Sequence, residues 1–241
     1  MEIKTIGLIG GMSWESSKLY YEFLNTMANE HLGGSHSAKC IMVSVDFANI
    51  ERLTFKGDWE AIGALMKQAA QQLERAGADI ILLCTNTIHL VSHFISESVK
   101  IPFLHIATAT GTSIKKQRLD KVGLLGTKFT MEKDFYTKTL VEDFGFDVLI
   151  PEANERQLVH DIIYDELVKG QFTATAKQKI VEIIKRLQNR GAQGVILGCT
   201  ELPILIAASD VNIPIFDTGK IHAQSAMEWS LSIIDSNKLT T

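Results

Sequence analysis

Two of the chain's three cysteines close matched stretches: Ile81-Leu82-Leu83-Cys84-Thr85-Asn86-Thr87 and, about 115 residues later, Val195-Ile196-Leu197-Gly198-Cys199-Thr200-Glu201. Each is a short apolar run that ends in a thiol followed by small polar residues. This is the pattern of a buried parallel strand that delivers a side chain to its carboxyl end, where ligands of α/β folds bind. A single buried cysteine is ordinarily a small hydrophobe. Two in one setting call for chemistry that uses two. Disulfide exchange places its thiols close in sequence, as in CxxC, and zinc asks for about four ligands at spacings such as CxxC or HxxxH; these cysteines bring neither pattern. A Cys-His hydrolase needs one thiol and an oriented imidazole. Inversion at a carbon needs a base on each face, because a proton removed from one side is replaced from the other. With an ordinary pKa of roughly 8.5, cysteine is readily poised as thiolate or thiol, so Cys84 and Cys199 are assigned as opposed acid/base residues.

The elements that must position these thiols recur in the same order. Ile6-Gly7-Leu8-Ile9-Gly10-Gly11 is echoed by Val122-Gly123-Leu124-Leu125-Gly126-Thr127, and Arg75-Ala76-Gly77-Ala78-Asp79 by Arg190-Gly191-Ala192-Gln193. Ile101-Pro102-Phe103-Leu104-His105-Ile106 follows the first thiol as Ile213-Pro214-Ile215-Phe216-Asp217-Thr218 follows the second. Correspondences in one order at nearly constant spacing predict an internal duplication, two similar halves with one cysteine each at a shared cleft.

Taken in order, the first strand ends in Gly10-Gly11-Met12-Ser13-Trp14-Glu15-Ser16-Ser17, and Leu19, Tyr20, Phe23, Leu24 and Met27 then recur at helical spacing behind a Ser13 or Ser16 cap. The glycine pair is either a plain turn or a carboxylate-binding loop; it is neither a GxGxxG fingerprint nor a P-loop, so no dinucleotide is implied. A strand is expected over residues 41–47, with Cys40 as inert core beside it. Arg52 falls in an expected strand-to-helix connection, within reach of a cleft. A helix from Glu60 to Arg75 should stop at Gly77. Thr85 and Asn86 should cap a helix that buries Ile88, Val91 and Ile95, and its N-terminus would lower the Cys84 pKa; His89, one turn further along, is either a surface or packing residue or a group that tunes the thiol. In the second half, helices are expected from Phe129 to Phe144, from Glu155 to Val168 and from Ala174 to Gln188, with a short strand at 149–151 and Pro203 in a helical first turn. Lys169, just before Gly170, either opposes a helix dipole or closes over an anionic substrate. A terminal helix from Gly219 to Ser236 should leave a frayed tail.

A chain of 241 residues that is 46% hydrophobic can bury two modest cores. The formal net charge of −4, without a basic cluster, speaks against nucleic acid and anionic membrane as partners. The longest apolar runs are strand-sized, and no leader precedes Ile6-Gly7-Leu8-Ile9, so the expected location is the cytosol. Three cysteines, an odd number, fit free thiols there.

At these residues the chain resembles the aspartate/glutamate racemase superfamily, the cofactor-independent two-cysteine amino-acid racemases. Cys84-Thr85-Asn86-Thr87 resembles the first signature, although Ile88 is bulkier than the residue usual there. The second is matched throughout by Val195-Ile196-Leu197-Gly198-Cys199-Thr200-Glu201-Leu202-Pro203-Ile204-Leu205, and Gly10-Gly11-Met12-Ser13-Trp14-Glu15-Ser16 resembles the opening of the bacterial aspartate/glutamate racemase branch. Cell-wall glutamate racemases hold Asp-Ser and His where this chain has Gly11-Met12 and Glu201, which turns the resemblance toward the aspartate or broader branch.

The resemblance, spanning about residues 4 to 232, implies an α/β fold of two similar domains with mainly parallel sheets, related by pseudo-twofold symmetry, with the active site in the cleft between them. Residues 1–99 plus 212–241 would carry Cys84, and residues 100–211 would carry Cys199. It further implies a homodimer and an amino-acid substrate, with no pyridoxal phosphate and no metal. By resemblance, Met12, Thr85, Asn86, Thr87, Thr127 and Thr200 contact the substrate, while Arg52 and Lys169 supply cations for its side-chain carboxylate. A relative acting on another amino acid, a hydantoin or maleate, and a catalytically silent amino-acid-binding protein, are the alternatives.

Overall fold

The computed structural model describes residues 3–236, which divide into two compact units. One comprises the described residues through Ile106 together with those from His222 onward, and the other runs from Ala107 to Ile221. The expected frayed tail lies outside the described residues.

In the first unit β1 (Ile6–Gly10) lies between β2 (Cys40–Ser44) and β3 (Ile80–Leu83), all parallel. The segment after β3 returns to pair with it: the Ile81 N–H donates to Pro102 O at 2.9 Å, the Leu104 N–H donates to Ile81 O at 3.0 Å, and Phe103 forms a parallel bridge to Ile81. β1 and β3 are buried along their whole length, as near-continuous apolar runs in a parallel sheet must be. Alternation along the strands sends Ile9, Ile81 and Leu83 to one face and Ile6, Leu8, Ile80, Leu82 and Cys84 to the other.

Helices cover both faces. α1 (Trp14–Leu32) lays Tyr20, Leu24, Met27 and Ala28 on the Cys84 face, beside Ala223, Ala226 and Met227 of the terminal helix. On the opposite face, α2 (Phe47–Lys56) and α3 (Trp59–Arg75) pack Ile50, Leu53, Ile62, Met66, Ala69 and Leu73. Burying a side chain such as Leu73 contributes about 1.5–3 kcal/mol. α3 stops where expected, since Gly77 takes a φ of +91°.

The second unit repeats the order with one full strand more. β4 (Lys121–Gly126) lies between β5 (Asp147–Leu149) and β6 (Gly194–Gly198), and β7 (Ile215–Asp217) pairs with β6 on its far side, all parallel. β4 is thus the counterpart of β1, β6 of β3, and β7 of the segment around Phe103. α9 (Ala174–Asn189) packs Ile180, Ile183, Ile184 and Leu187 against Val195, Leu197 and Cys199 of β6 and its end.

The unit boundaries fall later than the expected 99/100 and 211/212. Residues 102–104 bond to β3 and so stay with the first unit, and β7 pairs with β6 and so stays with the second. The expected helix from Phe129 to Phe144 is broken into α6 (Lys128–Glu132), α7 (Asp134–Lys138) and a π turn at Thr139–Asp143, because Lys133 adopts extended backbone. The helix expected up to Val168 is α8 (Ala153–Asp161), followed by a π turn at Ile162–Glu166 and a 3-10 turn at Leu167–Lys169. The terminal helix runs Thr218–Ser236.

Histidines pin the 102–106 segment in the first unit. His222 donates through Nε2–H to Leu104 O at 2.8 Å and accepts the Tyr20 hydroxyl on Nδ1, also at 2.8 Å. A carbonyl can only accept, so Nε2 carries a hydrogen, and with the ring neutral Nδ1 is the acceptor. Burial first, and then the neighbouring His105, pull the His222 pKa down to about 3 despite the bond to Leu104. The His89 ring, 5.8 Å away, is likewise held low, by burial and then by His105 and His222. A histidine lowered on folding binds its proton more readily when unfolded, so this stability is present above the unfolded pKa of roughly 6.5 and is lost as pH falls below it. Denaturant titrations should therefore show His222 alone removing on the order of 2 kcal/mol between pH 7 and pH 5. A stability that stays flat over that range would mean the ring is not buried neutral.

Candidate active site

Cys84 stands one residue beyond β3. Its N–H donates to Ile9 O at 2.9 Å, which carries the β1–β3 ladder past the last strand residue, and its carbonyl accepts the Ser16 hydroxyl at 2.8 Å. Ser16 is placed by the first turn of α1, where the Ser13 hydroxyl caps the helix by accepting the Ser16 N–H at 3.3 Å. The turn between β1 and α1 needs glycine. Gly11 has a φ of +94°, and a Cβ there would lie 2.1 Å from Val45 O. Met12, expected at the substrate, buries its side chain in the apolar cluster with Ile9 and Ile50, so what it offers is backbone.

Beyond the thiol, Thr85 is half-buried and Asn86 and Thr87 are buried. The expected capped helix is absent. The Thr85 N–H turns back to Leu83 O at 2.9 Å, Asn86 is itself in the right-handed helical region with no side-chain cap, and a 3-10 turn (Thr87–Val91) leads to the four-residue α4 (His93–Ser96). Ile88, Val91 and Ile95 are buried as predicted. His89 does not tune the thiol, because both its nitrogens are engaged by backbone: Nδ1–H donates to Thr85 O at 2.7 Å, and Nε2 accepts the Ile106 N–H at 3.2 Å. Without a full helix dipole the balance reverses from the expectation, and burial, then the Cys40 thiol, push the Cys84 thiol far above its ordinary value. Cys40 is itself half-buried at the start of β2, less enclosed than the inert core position expected for it.

Cys199 follows β6 in the second unit and is also buried. Its S–H donates to Glu201 Oε2 at 2.9 Å, and the Thr200 hydroxyl donates to the same oxygen at 2.9 Å. Burial, then the Glu201 charge and hydrogen bond, push the Cys199 thiol well above the ordinary range. Glu201 makes a contact with the thiol that the sequence reading missed. Its signal was there, an acid two residues after a strand-end thiol in a short turn. Pro203 falls in the first turn of α10 (Leu202–Leu205), as expected.

The remaining expected contacts are distributed over both units. Thr127, buried beyond β4, caps α6 by accepting the Thr130 N–H on Oγ1 at 3.3 Å, the counterpart of Ser13 after β1. Arg52 lies within α2 and not in a loop; it is exposed, with Nη2–H donating to Asn49 Oδ1 at 2.7 Å. Asn49 also lines a cavity of about 240 Å³ at the carboxyl end of β2, with Ser44, Gln68 and Gln72. Lys169 is exposed in the 3-10 turn before Gly170, its ammonium 3.7 Å from the Asp165 carboxylate. Among the described residues no group of three or more His, Cys, Asp or Glu side chains is arranged to hold a metal ion.

Because both thiols are raised, neither should be appreciably ionised in the free protein at neutral pH. Site-resolved alkylation with iodoacetamide, read by peptide mass spectrometry, should be slow at Cys84 and Cys199 at pH 7 and should still be climbing well above the ordinary cysteine value of roughly 8.5, where an unperturbed thiol levels off. Rapid modification of either at pH 7 would show a thiolate that this geometry does not provide.

The family profile described as Asp/Glu/Hydantoin racemase matches residues 9–226. Among solved structures, a candidate Asp/Glu racemase from Yersinia pestis is 47% identical with a TM-score of 0.89, covering 95% of this chain and 99% of that one. An aspartate racemase homologue from Pyrococcus horikoshii is 37% identical with a TM-score of 0.81, covering 94% of this chain and 99% of its own. Glutamate racemase 3 of Caldanaerobacter subterraneus subsp. tengcongensis is 27% identical over 180 residues, 70% of this chain; the match spans only 62% of that relative's length. Two units of parallel sheet, each with a thiol at a strand end, thus accompany a profile match over most of the sequence, and the chain belongs to the Asp/Glu/Hydantoin racemase family.

Proposed function

We propose that the protein racemises aspartate, glutamate or both without a cofactor, by two-base proton transfer at the α-carbon. The observation that carries this reading is the repetition: in each unit the strand beside the central one ends in a buried free thiol, Cys84 after β3 and Cys199 after β6. One sulfur, as thiolate, takes the α-proton and becomes a thiol, leaving the C–H electron pair on the α-carbon. The other thiol gives its proton to the opposite face, and that electron pair closes the new C–H bond. The roles exchange for the other enantiomer.

Backbone N–H groups and the polar side chains of Thr85, Asn86, Thr87, Thr127 and Thr200, with the backbone of Met12, hold the substrate and stabilise the carbanion-like transition state in this reading. Arg52 and Lys169 are the cations for the side-chain carboxylate. A homodimer in the cytosol belongs to the same reading; among the described residues no helix is long and apolar enough to cross a membrane.

Relatives support a racemase and leave the substrate open. The broad specificity amino-acid racemase RacX of Bacillus subtilis, 26% identical over 171 residues, favours a second reading with a wider amino-acid range. A chiral assay of the proteinogenic amino acids, with no added cofactor, separates the two. Under the proposal, activity is confined to dicarboxylates. Cys84→Ala and Cys199→Ala each lose at least roughly 100-fold in kcat, the scale of a general acid or base, while Cys40→Ala stays active. Substantial racemisation by either active-site variant would remove the two-base assignment.

Arg52→Ala and Lys169→Ala test the cations separately. A charge-assisted hydrogen bond contributes about 1.5–3 kcal/mol, so each should lower kcat/KM for the dicarboxylate by roughly 10- to 150-fold with little change in thermal stability. Unchanged turnover in both would favour the wider range.

A further inference from the structure

The two thiol motifs agree in their first two residues and differ in the third: Cys84-Thr85-Asn86 against Cys199-Thr200-Glu201. In the first the third residue is a neutral amide, and in the second it is a carboxylate that is only 6% exposed. Oε2 of Glu201 lies 2.9 Å from Cys199 Sγ and 2.9 Å from Thr200 Oγ1, so one oxygen accepts both an S–H and an O–H. The turn that leads into α10 holds Glu201 in place, with the Ile204 N–H donating to Glu201 O at 3.1 Å. Between a carboxylate and a thiol that share one hydrogen bond, the proton stays on the weaker acid, the sulfur. Ionising Cys199 would then set two negative charges side by side out of water, the arrangement that most strongly resists loss of a second proton.

We infer that Glu201 is a positioning residue that keeps the proton on Cys199, so that when the pair of thiols gives up one proton it is Cys84 that becomes the thiolate. Cys199 is then the acid of the resting enzyme. Its S–H proton goes to the α-carbon, the S–H electron pair stays on sulfur, and Thr200 keeps the Glu201 oxygen in place while sulfur carries the charge. Turnover of the enantiomer that Cys199 must deprotonate starts only from the form in which Cys199 has lost its proton and Cys84 holds one. This deepens the racemase reading and rests on it, but its test needs no turnover, so the two can fail separately.

The test is the pH–rate profile of iodoacetamide alkylation at Cys199, in a Cys40→Ala/Cys84→Ala background where it is the sole thiol. Access changes the rate, whereas the midpoint of the profile follows ionisation alone. With Glu201 intact the midpoint should lie above the ordinary cysteine value of roughly 8.5. Glu201→Gln and Glu201→Leu should each lower it by about one pH unit or more, giving roughly 10-fold faster alkylation below the midpoint, while Glu201→Asp should keep most of the elevation. Circular dichroism checks folding. Should the neutral variants not fold, the infrared S–H stretching band of the parent background decides: it should persist above pH 8.5 and disappear only at higher pH. A midpoint unmoved or raised in both neutral variants, or an S–H band lost at or below pH 8.5, would overturn the assignment.

Discussion

A parallel strand buried on both faces admits only apolar side chains until it ends, and that constraint governs the chemistry here. β3 and β6 are enclosed throughout, so the first place at which each can carry a reactive group is the residue where its backbone leaves the ladder. Cys84 and Cys199 occupy those places. Thiol is the reactive group that burial tolerates best, since it packs as a small hydrophobe while protonated. The same burial withholds its ionisation, and each pH unit of elevation represents about 1.4 kcal/mol against forming the thiolate.

The duplication repeats the devices around each thiol more faithfully than the thiol's own neighbours. The first three strands of each unit take the same order, a hydroxyl caps the helix after each central strand (Ser13 and Thr127), and a hydroxyl braces each thiol strand, Ser16 at Cys84 O and Thr218 at Leu197 O. The residues just past the sulfurs diverge. After Cys84 the chain enters a 3-10 turn whose His89 ties Thr85 to Ile106, whereas after Cys199 a buried carboxylate meets the thiol directly. The backbone scaffolding repeats the placement of the two thiols; burial raises both, with Cys40 adding to it at Cys84 and Glu201 at Cys199.

Features that depend on local pattern were legible in the sequence. The strand ends at both thiols, the Ser13 cap, the stop at Gly77 and the span of α9 follow from apolar runs, small polar residues and glycine placed where a positive φ is needed. What escaped depends on contacts distant in sequence or on competition within a turn. The Thr85 N–H turning back to Leu83 replaced a helix cap with a 3-10 turn and removed the dipole expected to activate Cys84. His89 was open to two readings, packing or tuning of the thiol, and its bonds to carbonyl and amide groups of the backbone make it a packing residue. Arg52 was expected in a strand-to-helix connection, although Asp46 caps a helix that includes it. The unit boundaries shifted because pairing of residues 102–104 and of β7 is set by the sheets and not by composition.

The most direct measurement of the central claim is racemisation in deuterated water, followed through the first few per cent of conversion by chiral separation and mass spectrometry. Starting from one protiated enantiomer of aspartate or glutamate, two separate bases require that the new enantiomer carry one solvent deuterium at the α-carbon while the recovered starting enantiomer stays protiated. Retention of the original proton in the product, or deuterium entering the recovered substrate as fast as the product, would mean that a single base serves both faces and would contradict the account.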